Sequence, residues 1–356
     1  MRRPQEGTAR TAGLASRRRR GALGRALAGA TLAAGLGAAA APASAQATHL
    51  LVISGIGGDP EYSDSFYRDG AALVDAAHGR LGLADSSVVF LAEDPARDPK
   101  RIRARSTAEN VARAVDDLAR RSRPGDRVLI VLIGHGSDAD GEPRLNLPGP
   151  DLSAAALARL LERLDGREVA VVNTTSASGA FVAALARRGR IVITATRGGG
   201  ERNETLFGHF FVQALAADGA DTDKDGRISL LEAFQYARRE VARAYQQERE
   251  LQTEHAQIDG DGDGVATMDP DSSAADRVAA AGFVLTGSAT VAANATADPA
   301  LRALLARRGE LEREIAALEA RKATMNATAY DAALDPLLLE LARTDAAIRA
   351  GGRRAP

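Results

Sequence analysis

The sequence predicts an α/β fold, a mostly parallel sheet with helices on both faces, extended by an acidic insertion and a C-terminal helical hairpin. Three observations carry this. Short apolar runs alternate with amphipathic helical patterns from residue 48 to about 216. The apolar runs are continuous rather than period-two, as in strands buried on both faces. No hairpin turn joins one run to the next.

The elements follow in order. "THLLVISGIGG" reads as a buried strand over residues 50–54 that ends in a Gly-rich turn, and "SDSFYRDGAALVDAAHGRLG" as a helix stopping near Gly79. "SSVVFLAE" is a second strand. "STAENVARAVDDLARRSRPGD" is a helix with Ser106 and Glu109 as a capping box and Pro124-Gly125 as its stop. "RVLIVLIGHGS" is a third strand, "DLSAAALARLLERLDG" a helix and "EVAVVN" a fourth strand. "SGAFVAALARRG" is a helix, "RIVITAT" a fifth strand and "NETLFGHFFVQALAADG" a helix. In such sheets ligands collect past the carboxyl ends of the strands. The informative segments are therefore 55–59, 134–138, 173–179 and 197–203.

The chain has 356 residues, with 45% apolar and 26% charged residues, ordinary for a globular protein. A net charge of -1 gives no electrostatic footprint for nucleic acid. There is no cysteine, which excludes disulfides, thiolate metal sites and a cysteine nucleophile. Residues 1–45 read as a secretory signal peptide. Four arginines at 17–20 precede an uncharged run over 26–41, and Ala43-Ser44-Ala45 offers a cleavage site before Gln46. That run is short and mostly Ala and Gly, so no stable membrane span is expected, and the protein is expected to be exported to the periplasm or secreted. The remaining boundaries fall at 46–219 for the α/β domain, 220–297 for a calcium-binding region completing it, and 298–356 for the hairpin.

Residues 221–232 fit the twelve-residue EF-hand loop. Asp221, Asp223 and Asp225 supply single oxygens, and Gly226 permits the turn. Arg227 offers its carbonyl, Ser229 the position that often acts through water, and Glu232 a bidentate carboxylate. Four acids converging on one loop repel one another without a cation, so Ca2+ is the expected cofactor. "DGDGDG" is a looser second candidate. Asp259, Asp261, Asp263 and Gly264 fit the first half of such a loop, but Pro270 stands where Glu belongs and Asp269 comes one position early. A lone loop in an exported protein meets abundant calcium, which favours a structural ion over a sensor.

The third strand ends in Gly134-His135-Gly136-Ser137, and the fourth in "NTTSASG". Neighbouring parallel strands lie ~4.8 Å apart, so side chains from their ends can meet. An apolar strand ending in GHGS, then a second ending in small polar residues and Ser-Gly before a helix, resembles the legumain-like and caspase-like cysteine peptidases. The likeness runs from His49 to Leu215 and includes "ITATRGGGERNETLFGHFF". It implies a caspase-like three-layer sandwich, with His135 at the general-base position and Ser176 at the nucleophile position. The amides of Gly136 and Ser176 would form the oxyanion hole. The departure from the family is that its cysteine is replaced by Ser176.

A thiol of pKa ~8.5 is readily deprotonated by a nearby histidine. A serine hydroxyl needs a base oriented by a third group. Asp138 and Asp140 follow His135, but side chains so close in sequence rarely reach its far ring nitrogen. Two readings follow. One is an exported, calcium-binding pseudopeptidase that binds a peptide or protein. The other is a hydrolase using Ser176 with His135. Glu201 and Glu204 would favour a basic substrate residue if they lined the pocket. Gly57, Gly58 and Asp59 lack the spacing and lysine of a nucleotide loop.

After Asp298, Leu304, Leu311, Ile315, Leu318 and Met325 recur at spacings of seven, four, three and seven. Tyr330, Leu334, Leu338, Leu341 and Ile348 form a second stripe. This pattern fits a helical hairpin that either packs on its own domain or joins two copies of the chain.

Overall fold

The computed structural model describes residues 46–139, 141–201, 204–222 and 227–285, and within the C-terminal part residues 300, 303–304, 307–308, 311, 314–315, 318 and 325–352. The leader expected at 1–45 lies outside the described residues, as do Asp140, Asn203, Asp223, Asp225 and Gly226.

Strands β1 (Thr48–Ser54), β2 (Val88–Ala92), β3 (Ile102–Arg105) and β4 (Arg127–Ile133) alternate with helices α1 (Pro60–Gly79) and α2 (Ala108–Arg121). A small antiparallel sheet follows, made of β5 (Gly136–Ala139), β6 (Glu142–Leu145) and β7 (Leu152–Ser153). Then come α3 (Ala154–Leu161), β8 (Glu168–Asn173), α4 (Val182–Leu185), β9 (Arg190–Thr194) and α5 (Phe207–Ala216). The acidic region holds β10 (Ile228–Ser229), α6 (Leu230–Glu248), β11 (Gln257–Asp259), α7 (Ala274–Gly282) and β12 (Val284–Leu285). Helix α8 (Ala327–Gly352) carries Pro336 in its interior.

The main sheet has the order β11-β9-β8-β4-β1-β2-β3. All its neighbours are parallel except β11, which runs antiparallel to β9 at one edge. Successive side chains of each strand feed opposite layers. Leu50 and Val52 of β1 join one core with Phe66 and Leu73 of α1, Phe211 of α5 and Phe234 of α6. Leu51 and Ile53 join the other core with Val111 and Leu118 of α2, Leu157 of α3 and Leu185 of α4. A helix layer thus covers each face, and the continuous apolar runs have this cause. Gly70 lets α1 close on β2, since a Cβ there would stand 2.4 Å from the Phe90 ring.

The structure corrects four local expectations. The chain does contain a hairpin, β5–β6, where Ser137 pairs with Arg144. Helix α2 is capped by Thr107, whose Oγ1 accepts from Asn110 N at 3.2 Å, while Ser106 is buried ahead of it. The helix expected from Ser178 to Gly189 is a 3-10 turn over Ser178–Phe181 followed by the short α4. Strand β3 adds an edge that "RIRARS" does not announce, because it is short and mostly polar.

Arg307 Nε donates to Glu340 Oε1 at 2.8 Å, tying the helical turns before residue 318 to α8. Leu311, Leu318 and Tyr330 are buried, whereas Leu338, which the spacing places on the seam, is exposed. Among the described residues no helix is long and apolar enough to cross a membrane.

Candidate functional site

The chain leaves β1 toward β2 and β3 on one side, then returns to β4 on the other and continues to β8 and β9. The sheet's switch point therefore lies between β1 and β4, with their carboxyl ends facing the crevice where α/β proteins bind ligands. Leu132 of β4 is in register with Asn173 of β8, which brings the segments after them together.

Gly134 turns the chain with φ +140°, a conformation open to glycine, and packs 3.2 Å from the Gly55 backbone. This turn points the His135 ring at α1. The imidazole sits edge-on to Tyr62 (centroids 4.7 Å apart, 83°) and Phe66 (5.0 Å, 76°).

Ser176 is buried. The Gly136 amide donates to its Oγ at 3.2 Å, and Oγ lies 3.3 Å from the Gly136 carbonyl, to which it can donate. Among the described residues no hydrogen bond joins Ser176 to His135. Gly136 must be glycine, because a Cβ would fall 2.2 Å from the Ser176 carbonyl oxygen. The other polar residues after β8 are committed to scaffolding. Asn173 Oδ1 accepts from Thr175 N (3.1 Å) and Oγ1 (2.8 Å), and Thr174 Oγ1 donates to Leu132 O (2.8 Å). Ser178 Oγ accepts from Ala195 N and Thr196 N, both at 3.1 Å. Ala177 takes the left-handed conformation at φ 56° and donates its amide to Glu201 O at 2.8 Å.

A cavity of about 140 Å³ opens beside His135, lined by Phe66, Asp69, Thr174, Glu204 and His209 among others. Glu204 stands at its rim. Desolvation raises its carboxyl above the ordinary range, with His135 opposing that shift. Asp69 Oδ1 holds His209 Nδ1 at 3.2 Å and raises the imidazole's pKa. Two acids line the cavity with His135: Asp69 of α1, which is bound to His209, and Glu204, from the loop after β9. Asp138 packs instead on Gly199, where a Cβ would meet its Oδ2 at 2.0 Å. Of the two glutamates that the sequence offers as pocket-lining residues, Glu204 is the one in the lining of this cavity. Glu201 is turned away, with Oε1 at 2.9 Å from His255 Nδ1 and Oε2 accepting from Arg197 N and His255 N.

In the first acidic loop Asp221, Arg227, Ser229 and Glu232 are described. Glu232 is buried. Its Oε1 accepts from Thr222 N (2.9 Å) and its Oε2 from Ser229 N (2.9 Å) and Oγ (2.9 Å). These bonds draw the two ends of the loop together and form the capping box of α6. Both oxygens of the Glu232 carboxylate are thus engaged by donors of the loop itself.

In the second loop, carboxylate oxygens of Asp259, Asp261 and Asp263 all lie within 4.8 Å of one another. Gly262 (φ +76°) and Gly264 (φ +86°) fold the loop, so that their amides donate to Asp259 at 2.8 and 3.0 Å. Burial, then the charges of Asp276 and Asp263, raise the Asp259 carboxyl. An all-oxygen set of this kind fits a hard cation. Asp269 is used elsewhere, accepting from Asp271 N.

The Gly-rich turn after β1 is filled from within. Glu93 Oε2 accepts from Gly57 N (3.2 Å) and Ser63 Oγ (2.9 Å), so a carboxylate occupies the place a phosphate would take.

No protein-family model matches the sequence, and no curated protein matches it. Among solved structures, the chain is similar to protein GSU0716 from Geobacter sulfurreducens, with a TM-score of 0.38 and 15% identity, over 60% of this chain and 92% of that one. It is similar to Chaetomium thermophilum Raptor at TM-score 0.34 and 14% identity, over 49% of this chain and 18% of that one. It is similar to drICE at TM-score 0.34 and 11% identity, over 57% and 85% of the two chains. At these scores the likenesses carry no inference about activity.

Proposed function

We propose that this chain is an exported, calcium-binding protein of the legumain-like and caspase-like type that binds a peptide or protein segment at the ends of β4 and β8 without cleaving it. The observation that supports this most is the placement of the Ser176 hydroxyl. Both of its hydrogen bonds go to the Gly136 backbone, and the His135 ring is turned to Tyr62 and Phe66. A serine without a base in contact is a poor nucleophile. Ca2+, held by the 221–232 loop and by Asp259, Asp261 and Asp263, serves to order the region beside α6. Leu338 and Leu339 of α8 are exposed, and this is the part of the helix where a second copy of the chain would pack.

The test is labelling with a fluorophosphonate probe in the presence of calcium. Wild type is expected to stay unlabelled, and Ser176→Cys to gain reactivity toward a thiol-directed peptide probe. Labelling of wild type that disappears in both Ser176→Ala and His135→Ala would establish the second reading, a hydrolase. One observation favours that reading. Glu204 lines the same cavity as His135, where a carboxylate would be placed to orient the ring once the two met.

A further inference from the structure

A second cavity, larger than the one beside His135, lies on the other side of the switch point from Ser176. It measures about 730 Å³ and sits past the carboxyl ends of β1, β2 and β3. This is within the size range of small-ligand sites. Ser54, Ala92 and Arg105 bring the strand ends to it, and Tyr67 and Arg97 form a wall.

That wall is fixed by its own contacts. Tyr67 Oη donates to Asp98 Oδ2 at 3.0 Å, and Arg101 Nη1 donates to the same oxygen at 2.7 Å. Arg97 is used up. It pairs with Asp64 at 2.7 Å and its guanidinium lies 4.1 Å from the centre of the Tyr67 ring.

Besides Asp94, whose Oδ1 accepts from Ala96 N at 2.9 Å in the turn after β2, two charged groups that line the cavity have no ion pair among the described residues. Glu93 is half-buried, and only its Oε2 is bonded, to Gly57 and Ser63. Among the described residues its second oxygen makes no hydrogen bond and no cation pairs with the carboxylate. Arg105 is exposed where β3 ends, and its guanidinium has no acidic partner among the described residues. The cavity therefore offers a shielded negative group and a solvent-facing positive one, with apolar and aromatic surface from Ile102, Ala92 and Tyr67 alongside.

We infer that this cavity binds a basic amino acid, free or at the C-terminus of a peptide. The cationic side chain meets Glu93, its methylene stem lies against Tyr67 and Ile102, and the α-carboxylate stays at the mouth with Arg105. A guanidinium presents a fork that matches a carboxylate, and a half-shielded carboxylate favours a cation over a neutral donor. The inference is independent of any chemistry at Ser176, and either can fail alone.

The test uses the full-length protein and fluorescence anisotropy of N-terminally labelled Gly-Gly-Lys. Two analogues each remove one charge: Gly-Gly-Lys-amide and Gly-Gly-norleucine. The acid is expected to bind saturably, and each analogue about tenfold more weakly. Arg105→Ala is expected to lose the preference for acid over amide, and Glu93→Gln the preference for lysine over norleucine. Such matched losses identify the partner of each charge in a way that general destabilisation does not. Absence of saturable binding by Gly-Gly-Lys, or equal binding of all three tripeptides, would overturn the inference. So would variants that weaken all three ligands alike.

Discussion

The two halves of the sheet's carboxyl edge are built on opposite plans. On the β8–β9 side, Asn173, Thr174, Thr175, Ser176, Ser178, Thr194 and Thr196 are all buried and bonded to one another or to backbone. On the β1–β3 side the connections are exposed and ionic, built from Arg97 with Asp64 and from Arg101 with Asp75 and Asp98. On the side that carries the peptidase-like residues the polar groups after β8 are committed to one another beside a cavity of about 140 Å³, while the cavity of about 730 Å³ is on the side that carries no motif. Polar residues at a strand end need not be reagents. When they are buried, satisfying one another is what keeps the fold together.

The largest expected effect separates the two sides through glycine. A Cβ on Gly179 would lie 2.2 Å from the Arg197 carbonyl carbon and 2.3 Å from Gly198 N, all backbone. Gly179→Ala should cost roughly 2–4 kcal/mol of stability, measured by urea unfolding. Gly58, on the β1 side, has φ +73° and nothing within 4 Å, so Gly58→Ala should cost only about 1 kcal/mol of backbone strain. Equal costs would break the comparison.

A second effect comes from Glu254, which is buried beneath the loop on the β8–β9 side. It accepts from Leu206 N at 2.8 Å and Phe207 N at 3.1 Å, at the start of α5. Burial, with the neighbouring Glu201 charge adding to it, pushes its carboxyl from 4.5 up to about 7. The folded state then holds this proton more tightly than the unfolded chain. The stability it contributes is complete below pH 4.5 and is lost as pH rises through about 7. The loss is on the order of 3 kcal/mol. Unfolding curves at successive pH values should show this slope, and Glu254→Gln should flatten it. A slope unchanged in the variant would assign the titration to another group.

The sheet and its two helix layers were legible because continuous apolar runs such as "RVLIVLI" have one structural explanation, a strand buried on both faces. The β5–β6 hairpin was not, because Ser137, Asp138 and Arg144 show no apolar alternation. Adjacency of the β4 and β8 ends was inferable from strand order, but the direction of the His135 ring depends on the φ of Gly134, which sequence does not encode. The convergence of Asp259, Asp261 and Asp263 depends likewise on two positive-φ glycines in a loop that lacks the closing Glu. Glu93 and Arg105 lie on different strands' ends in no motif, so only the assembled sheet brings them to one cavity.

The smallest effect sharpens the comparison from the β1–β3 side. Arg97→Ala removes an exposed ion pair with Asp64 and a cation–π contact with Tyr67. Screened surface pairs and exposed cation–π contacts are each worth about 0.5–1 kcal/mol or less, so the cost should not exceed about 1 kcal/mol. It should shrink further in high salt, because the Asp64 contact is electrostatic and open to water. A cost of about 3 kcal/mol, unaffected by salt, would mean that the wall of the cavity is part of the folding core. The two sides of the edge would then be held by the same kind of force, and the open cavity would owe its shape to packing and not to charge.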